Sequence, residues 1–143
     1  MGREDPPVQL VDILRADFRT SRDADATSTE LQRVLALPYR YHPARLALGL
    51  SLADPAAPPP PADLLGRPIK GETLFGHEEN DLAWWTGLLV EHTGLAGVTK
   101  RRLQDDVAAH WQRGTQLLWT RWERHEGDPH LFYARLIGQL AAS

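Results

Sequence analysis

Apolar residues surround one segment of the chain and stripe the others. Residues 43–53 read PARLALGLSLA, with Ala44, Leu46, Ala47, Leu48, Leu50, Leu52 and Ala53 placed nearly all the way round a helix and only Arg45 and Ser51 between them. A helix without a polar face belongs in the centre of a core or at an interface between subunits. Pro43 suits a first helical turn, where its missing N–H has no partner to lose. Ala47 and Gly49 are small enough to let another backbone approach. Asp54-Pro55 stops the helix, and the prolines Pro58 to Pro61 favour an extended, stiff spacer over residues 55–62.

The other patterns fall on either side of this pair. Residues 14–19 alternate, with Leu14, Ala16 and Phe18 on one side and Arg15, Asp17 and Arg19 on the other. That is the period of a half-buried strand. A lone strand needs a mate, and no second strand is evident, so a partner chain is expected to supply it. Thr27 and Glu30 form a capping box before a short helix striped by Leu31, Val34 and Leu35. Residues 63–76 read as irregular, punctuated by Gly66, Pro68, Gly71 and Gly76. A helix capped by Asn80 or Asp81 runs to about His92, with Leu82, Trp85 and Leu89 on one face and Gly94 and Gly97 at its end. Thr99 caps the longest helix, whose stripe is Leu103, Val107, Trp111, Gly114, Leu118 and Trp122. A last helix begins at Pro129, after the Gly127-Asp128 break, with Phe132, Leu136 and Leu140 as its stripe, flanked by Tyr133 and Ile137. Five helices and at most one strand predict a mainly α domain whose front half runs strand–helix–helix.

Length is consistent with that picture: 143 residues suit a single domain with a real core. Within it, residues 1–9 read as a loosely held arm, 55–62 as the spacer and 128–143 as a C-terminal helix. No apolar run reaches the roughly 18 residues of a membrane span, and the first residues carry no signal-peptide apolar region. Both predict a cytoplasmic protein without a membrane partner. The absence of cysteine excludes disulfides, thiolate zinc sites and cysteine nucleophiles.

Charge changes the picture more. The formal net charge is −3, and of the sixteen Lys and Arg all but two are arginine. Arginine is the better fork for phosphate or carboxylate, although a GC-rich coding bias gives the same composition. Arg15 and Arg19 project from one face of the expected strand, and Arg22 follows. Arg40 and Arg45 bracket the start of the apolar helix, whose N–H groups can hold a phosphate. Lys100, Arg101 and Arg102 open the longest helix, where cations oppose the dipole. These groups either line a DNA backbone or form ordinary surface charge, which Asp12, Asp17, Asp23 and Asp25 largely cancel.

Self-contained chemistry has little support. None of the six histidines sits in an HExxH pattern, and there is no phosphate loop and no GxSxG elbow. The cluster His77, Glu78, Glu79 and Asp81 sits at a helix start, where carboxylates favour the dipole. Its sharper reading is a divalent-ion site. No cofactor or metal is expected, and no catalytic set is named.

The order FRTSRDAD, RLALGLSLADP, a proline-rich spacer, ETLFGHEENDLAWW and VAAHWQRGTQLL resembles the DndE family of DNA sulfur-modification proteins over about residues 14–122. The resemblance implies a compact helical fold whose front half is similar to ribbon–helix–helix DNA binders. It implies homo-oligomers that bind intact or nicked duplex. It also implies partners in DNA phosphorothioation: a cysteine desulfurase, a sulfurtransferase-like protein and an ATPase. The candidate DNA contacts are then Arg15, Arg19, Arg22, Arg33, Arg40 and Arg45. The chain departs from the family in its few lysines and in its C-terminal helix, which lies beyond the similar region. Two alternatives stay open: a metal-dependent DNA nickase of the same system, built on the His77 cluster, and a protein-interaction module that leaves DNA to its partners.

Overall fold

A computed structural model describes residues 6–94, 98–125 and 128–142, the side chains of 79 and 139–142 excepted. Its axis is the longest helix, and the described elements are mainly helical with one short two-stranded sheet. In chain order they are α1 (Leu10–Arg15), β1 (Asp17–Phe18), α2 (Arg22–Val34), α3 (Tyr41–Ala53), β2 (Ile69–Lys70), α4 (Gly71–Leu74), α5 (Glu79–Thr93), α6 (Lys100–Glu123) and α7 (Pro129–Ala142). Thr99 caps α6 as expected, its hydroxyl accepting from the Arg102 N–H at 3.1 Å. All six residues of the α6 stripe are buried. Gly94 closes α5 in the left-handed conformation, with φ 68°. On α7, Phe132 and Leu136 are buried, whereas Ile137 is exposed; Gly97, Gly127 and the Leu140 side chain lie outside the described residues.

The broadest packing is α3 against α6. Here the expectation of a helix buried on most sides is corrected. Ala44, Ala47, Leu48 and Ser51 are buried, but Leu46, Leu50 and Leu52 are only half-buried and Gly49 and Ala53 are exposed. Of the two small residues, Ala47 meets α6, and Gly49 faces outward.

The strand is corrected more substantially. Residues 10–15 are helical, and only Asp17 and Phe18 form a strand. Phe18 pairs with Ile69 and Asp17 with Lys70, antiparallel and within the same chain. The mate was invisible because β2 is two residues long, inside a segment rich in Gly and Pro. β1's other neighbour is α6: the Gln104 amide donates to the Asp17 carbonyl at 2.9 Å. The strand therefore needs no partner chain, although the strand–helix–helix order holds through β1, α2 and α3. The alternation holds only from residue 15 on: Arg15, Asp17 and Arg19 are exposed and Ala16 and Phe18 are buried, whereas Leu14, in α1, is half-buried and Ile13 is the buried residue of that helix.

Two smaller differences have local causes. The cap of α2 is Ser21, whose hydroxyl accepts from the Ala24 N–H at 3.2 Å; the helix therefore starts earlier, and Thr27 and Glu30 lie inside it. At the front of the chain, the Val8 N–H donates to the Val98 carbonyl at 2.9 Å and Pro7 bridges to Thr99. The arm is thus tied down at residues 7–8. No helix among the described residues is long and apolar enough to cross a membrane.

Candidate nucleic-acid interface

Local chemistry already decides what four of the six candidate arginines do. Arg19 donates to the Gly66 carbonyl at 2.9 Å. Arg45 lies over the Tyr41 ring, 4.3 Å from its centre, and donates to the carbonyls of Leu74 and Thr73 at 2.7 and 2.9 Å. Arg40 reaches the carbonyls of Pro68 and Arg67 and the Asp25 carboxylate. Arg33 pairs with Glu30 along α2. A carbonyl accepts hydrogen bonds without neutralising the cation, so Arg19 and Arg45 keep their charge, while Arg33 and Arg40 each share a carboxylate. Arg15 and Arg22 are exposed, and neither guanidinium forms an ion pair among the described residues. Arg22 donates its backbone N–H to the Asp63 carboxylate at 2.8 Å.

The six do not line a single surface feature. Arg19 opens on a shallow cleft shared with Asp17, Arg101, Gln104 and Asp105. Arg40 lines another with Tyr39, Tyr41 and Lys70. Arg45 stands at the rim of a third, apolar groove.

Of the acidic residues expected to cancel this field, Asp25 instead turns inward. It is 8% exposed and accepts from Arg67 at 2.9 Å from Nε and 3.0 Å from the backbone N–H. Burial alone would raise its carboxyl, but the Arg67 hydrogen bonds and the charges of Arg67 and Arg40 outweigh that and hold it below its ordinary value. This carboxylate pins residues 67–68 to α2.

The apolar groove lies between α3 and α5, with Leu136 of α7 also lining it. Leu46, Gly49, Leu50 and Ala53 of α3 form one wall, and Trp84, Trp85 and Leu88 of α5 form the other. Its volume is about 360 Å³. Trp84, at its edge, is 62% exposed.

Behind α3 lies a polar node with no signal in the sequence. Arg113 of α6 donates from Nε to the Ser51 hydroxyl at 2.8 Å and from Nη2 to the Ser51 carbonyl at 2.7 Å. It also reaches the Ala56 carbonyl at 2.7 Å. One guanidinium thus satisfies the open C-terminal end of α3 and holds the start of the spacer. The Ser51 hydroxyl and His110 Nδ1 are 2.8 Å apart, and the His92 ring stands edge-on to His110 at 4.6 Å. His92 Nε2 donates to the Asp54 carbonyl at 2.6 Å. Burial, then the neighbouring His92 and Arg113, pushes His110 down to about 4. Neutral His110 accepts the Ser51 proton while Ser51 accepts from Arg113. A serine beside a histidine resembles a nucleophile and its base, but Ser51 is 0% and His110 1% exposed. With the hydroxyl already held by Arg113, the node is structural.

At the start of α5, Glu78 is the N-cap residue with no side-chain cap bond, rather than Asn80 or Asp81. His77, Glu78 and Asp81 are exposed, and the Glu79 side chain lies outside the described residues. Among the described residues no group of three His, Asp or Glu side chains is placed to hold a metal ion.

No protein-family model, curated protein or solved structure matches this chain.

Proposed function

We propose that this chain is a DNA-binding assembly subunit of a DNA phosphorothioation machinery. The observation that carries the reading is the meeting of its two family-like segments. RLALGLSLADP and FGHEENDLAWW are separated by the proline spacer in sequence, yet Leu46, Gly49 and Leu50 of the first and Trp84 and Trp85 of the second line one apolar groove. Exposed apolar surface of this kind suits contact with another protein, a second copy included. The exposed cations Arg15, Arg19 and Arg22 near β1 supply the contact to the DNA backbone, with Arg45 at the groove rim.

Gel-shift titration of the pure protein with nicked and intact duplex tests the reading. Binding of both, and tighter binding of the nicked form, supports it; no shift at low salt removes DNA from the function. A second reading, the protein-interaction module, is favoured by the internal use of Arg19, Arg33, Arg40 and Arg45. Co-purification with the ATPase or sulfurtransferase-like protein, without a DNA shift, would select it. Nicking is tested by incubating supercoiled plasmid with magnesium or manganese. Cutting lost in Glu78→Ala with Asp81→Ala would make the chain a nickase.

A further inference from the structure

At the far end of α6 the last turn carries Arg121, Arg124 is the C-cap, and His125 follows directly. They face Arg135 of α7 across a small cavity of about 90 Å³ floored by Phe132 and Leu136. The edge-on stacking of Trp122 on Phe132, with ring centres 5.8 Å apart, fixes the two helices at this point. Three arginines and a histidine therefore line one space that fits a few atoms.

Among the described residues no carboxylate lines this cavity. None of the three arginines forms an ion pair or hydrogen bond among the described residues. The Asp128 carboxylate accepts from the Leu131 N–H at the start of α7 and is not among the residues lining the cavity. Arg121 Nη1 is buried and has no hydrogen-bond partner. A cation near a helix C-terminus is favoured by the dipole, and that accounts for arginine at 121 or 124. It does not account for a third arginine brought in from α7, nor for a buried donor left open, which costs stability unless an acceptor meets it. Water can accept from Nη1 but leaves three like charges facing one another. A tetrahedral oxyanion answers both: it offers several acceptors in different directions, and it suits the planar arginine fork.

We propose that Arg121, Arg124, His125 and Arg135 form a binding site for a phosphate group. Arg121 donates from the buried side, Arg124 and Arg135 close over the oxygens from the two helices, and Phe132 and Leu136 keep the floor dry. The cavity takes the phosphate and leaves whatever carries it outside. The carrier is either the backbone of a nucleic acid or a small phosphorylated compound.

Isothermal titration of the full chain with inorganic phosphate, against chloride at matched ionic strength, tests the site without any nucleic acid. Its outcome is therefore independent of the DNA reading above. The wild type is expected to bind saturably. Arg121→Gln and Arg135→Gln are each expected to weaken binding about tenfold or more, the loss of a charge-assisted hydrogen bond. Arg102→Gln, whose guanidinium pairs with Asp106 on α6, should leave it unchanged. Arg135 is exposed, so its variant keeps the test open if Arg121→Gln fails to fold. No saturable binding by the wild type, or wild-type affinity retained in both variants, overturns the site. Competition by a short duplex then separates the carriers: displacement of phosphate, with weaker duplex binding in the same variants, identifies nucleic acid. Phosphate binding undisturbed by duplex identifies a small phosphorylated compound.

Discussion

Gly114 of α6 lies so close to Ala47 of α3 that a Cβ at position 114 would stand 1.7 Å from the Ala47 carbonyl oxygen. The obstacle is backbone, which cannot swing aside as a side chain can. The broadest packing in the fold therefore depends on a missing methyl group. Gly114→Ala should destabilise by at least about 3 kcal/mol despite its better helix propensity, read as a lower urea midpoint. Gly49→Ala, with open space at its Cβ, should be neutral or stabilising.

Arg113 closes the C-terminal end of α3 with a single side chain that is 12% exposed. Its removal leaves the Ser51 hydroxyl and the Ala56 carbonyl without their Arg113 donor, while the Ser51 carbonyl keeps only the Asp54 N–H. Arg113→Ala should cost about 2–4 kcal/mol. Arg113→Lys should recover little of it, because an ammonium cannot reach Ser51 and Ala56 with the same fork. Chemical denaturation of the three proteins checks the order.

His110 gives the fold a pH dependence of known sign. Its folded value, about 4, is below its ordinary 6.5, so the unfolded chain binds the proton first. Stability should fall as pH drops from 6.5 towards 4, by up to about 1.4 kcal/mol per pH unit from this group. His110→Asn, which keeps an acceptor near Nδ1, should flatten that slope. Comparing the two proteins cancels the contribution of Asp106, whose carboxyl burial raises and which acts in the opposite sense.

Asp25 acts in a lower window. Its carboxyl is held below 3.8 when folded, so the stability it contributes is complete above that value and is lost as pH falls through the folded one. Asp25→Asn should cost about 1–3 kcal/mol at neutral pH and should remove part of the acid unfolding transition. Urea melts at neutral pH and at about pH 3 check both.

Where the sequence was legible, a long period carried the information. The six-residue stripe and Thr99 cap of α6 and the Gly94 terminator of α5 each act within a single helix, and each is where the pattern puts it. The failures come from elements too short to have a period. α1 spans six residues and β2 two, so residues 14–19 looked like a strand lacking a mate. Ser21 outcompeted Thr27 as a cap because the helix gains nearly two more turns by starting there. The arginines were ambiguous for another reason. Their carbonyl acceptors lie 27 to 62 residues away, and every sequence offers carbonyls everywhere. Only the fold separates Arg40 and Arg45, tied to residues 67–74, from Arg15 and Arg22, which remain exposed.

The central claim is contact with a nucleic-acid backbone, and its most direct measure is the salt dependence of binding to a nicked duplex. Fluorescence anisotropy between about 50 and 200 mM salt gives that slope. If at least two phosphates are neutralised, log K should fall with log salt at about −1.8 or steeper, and Arg15→Gln with Arg22→Gln should make it shallower. A flat slope, or no binding at the lowest salt, would contradict the account.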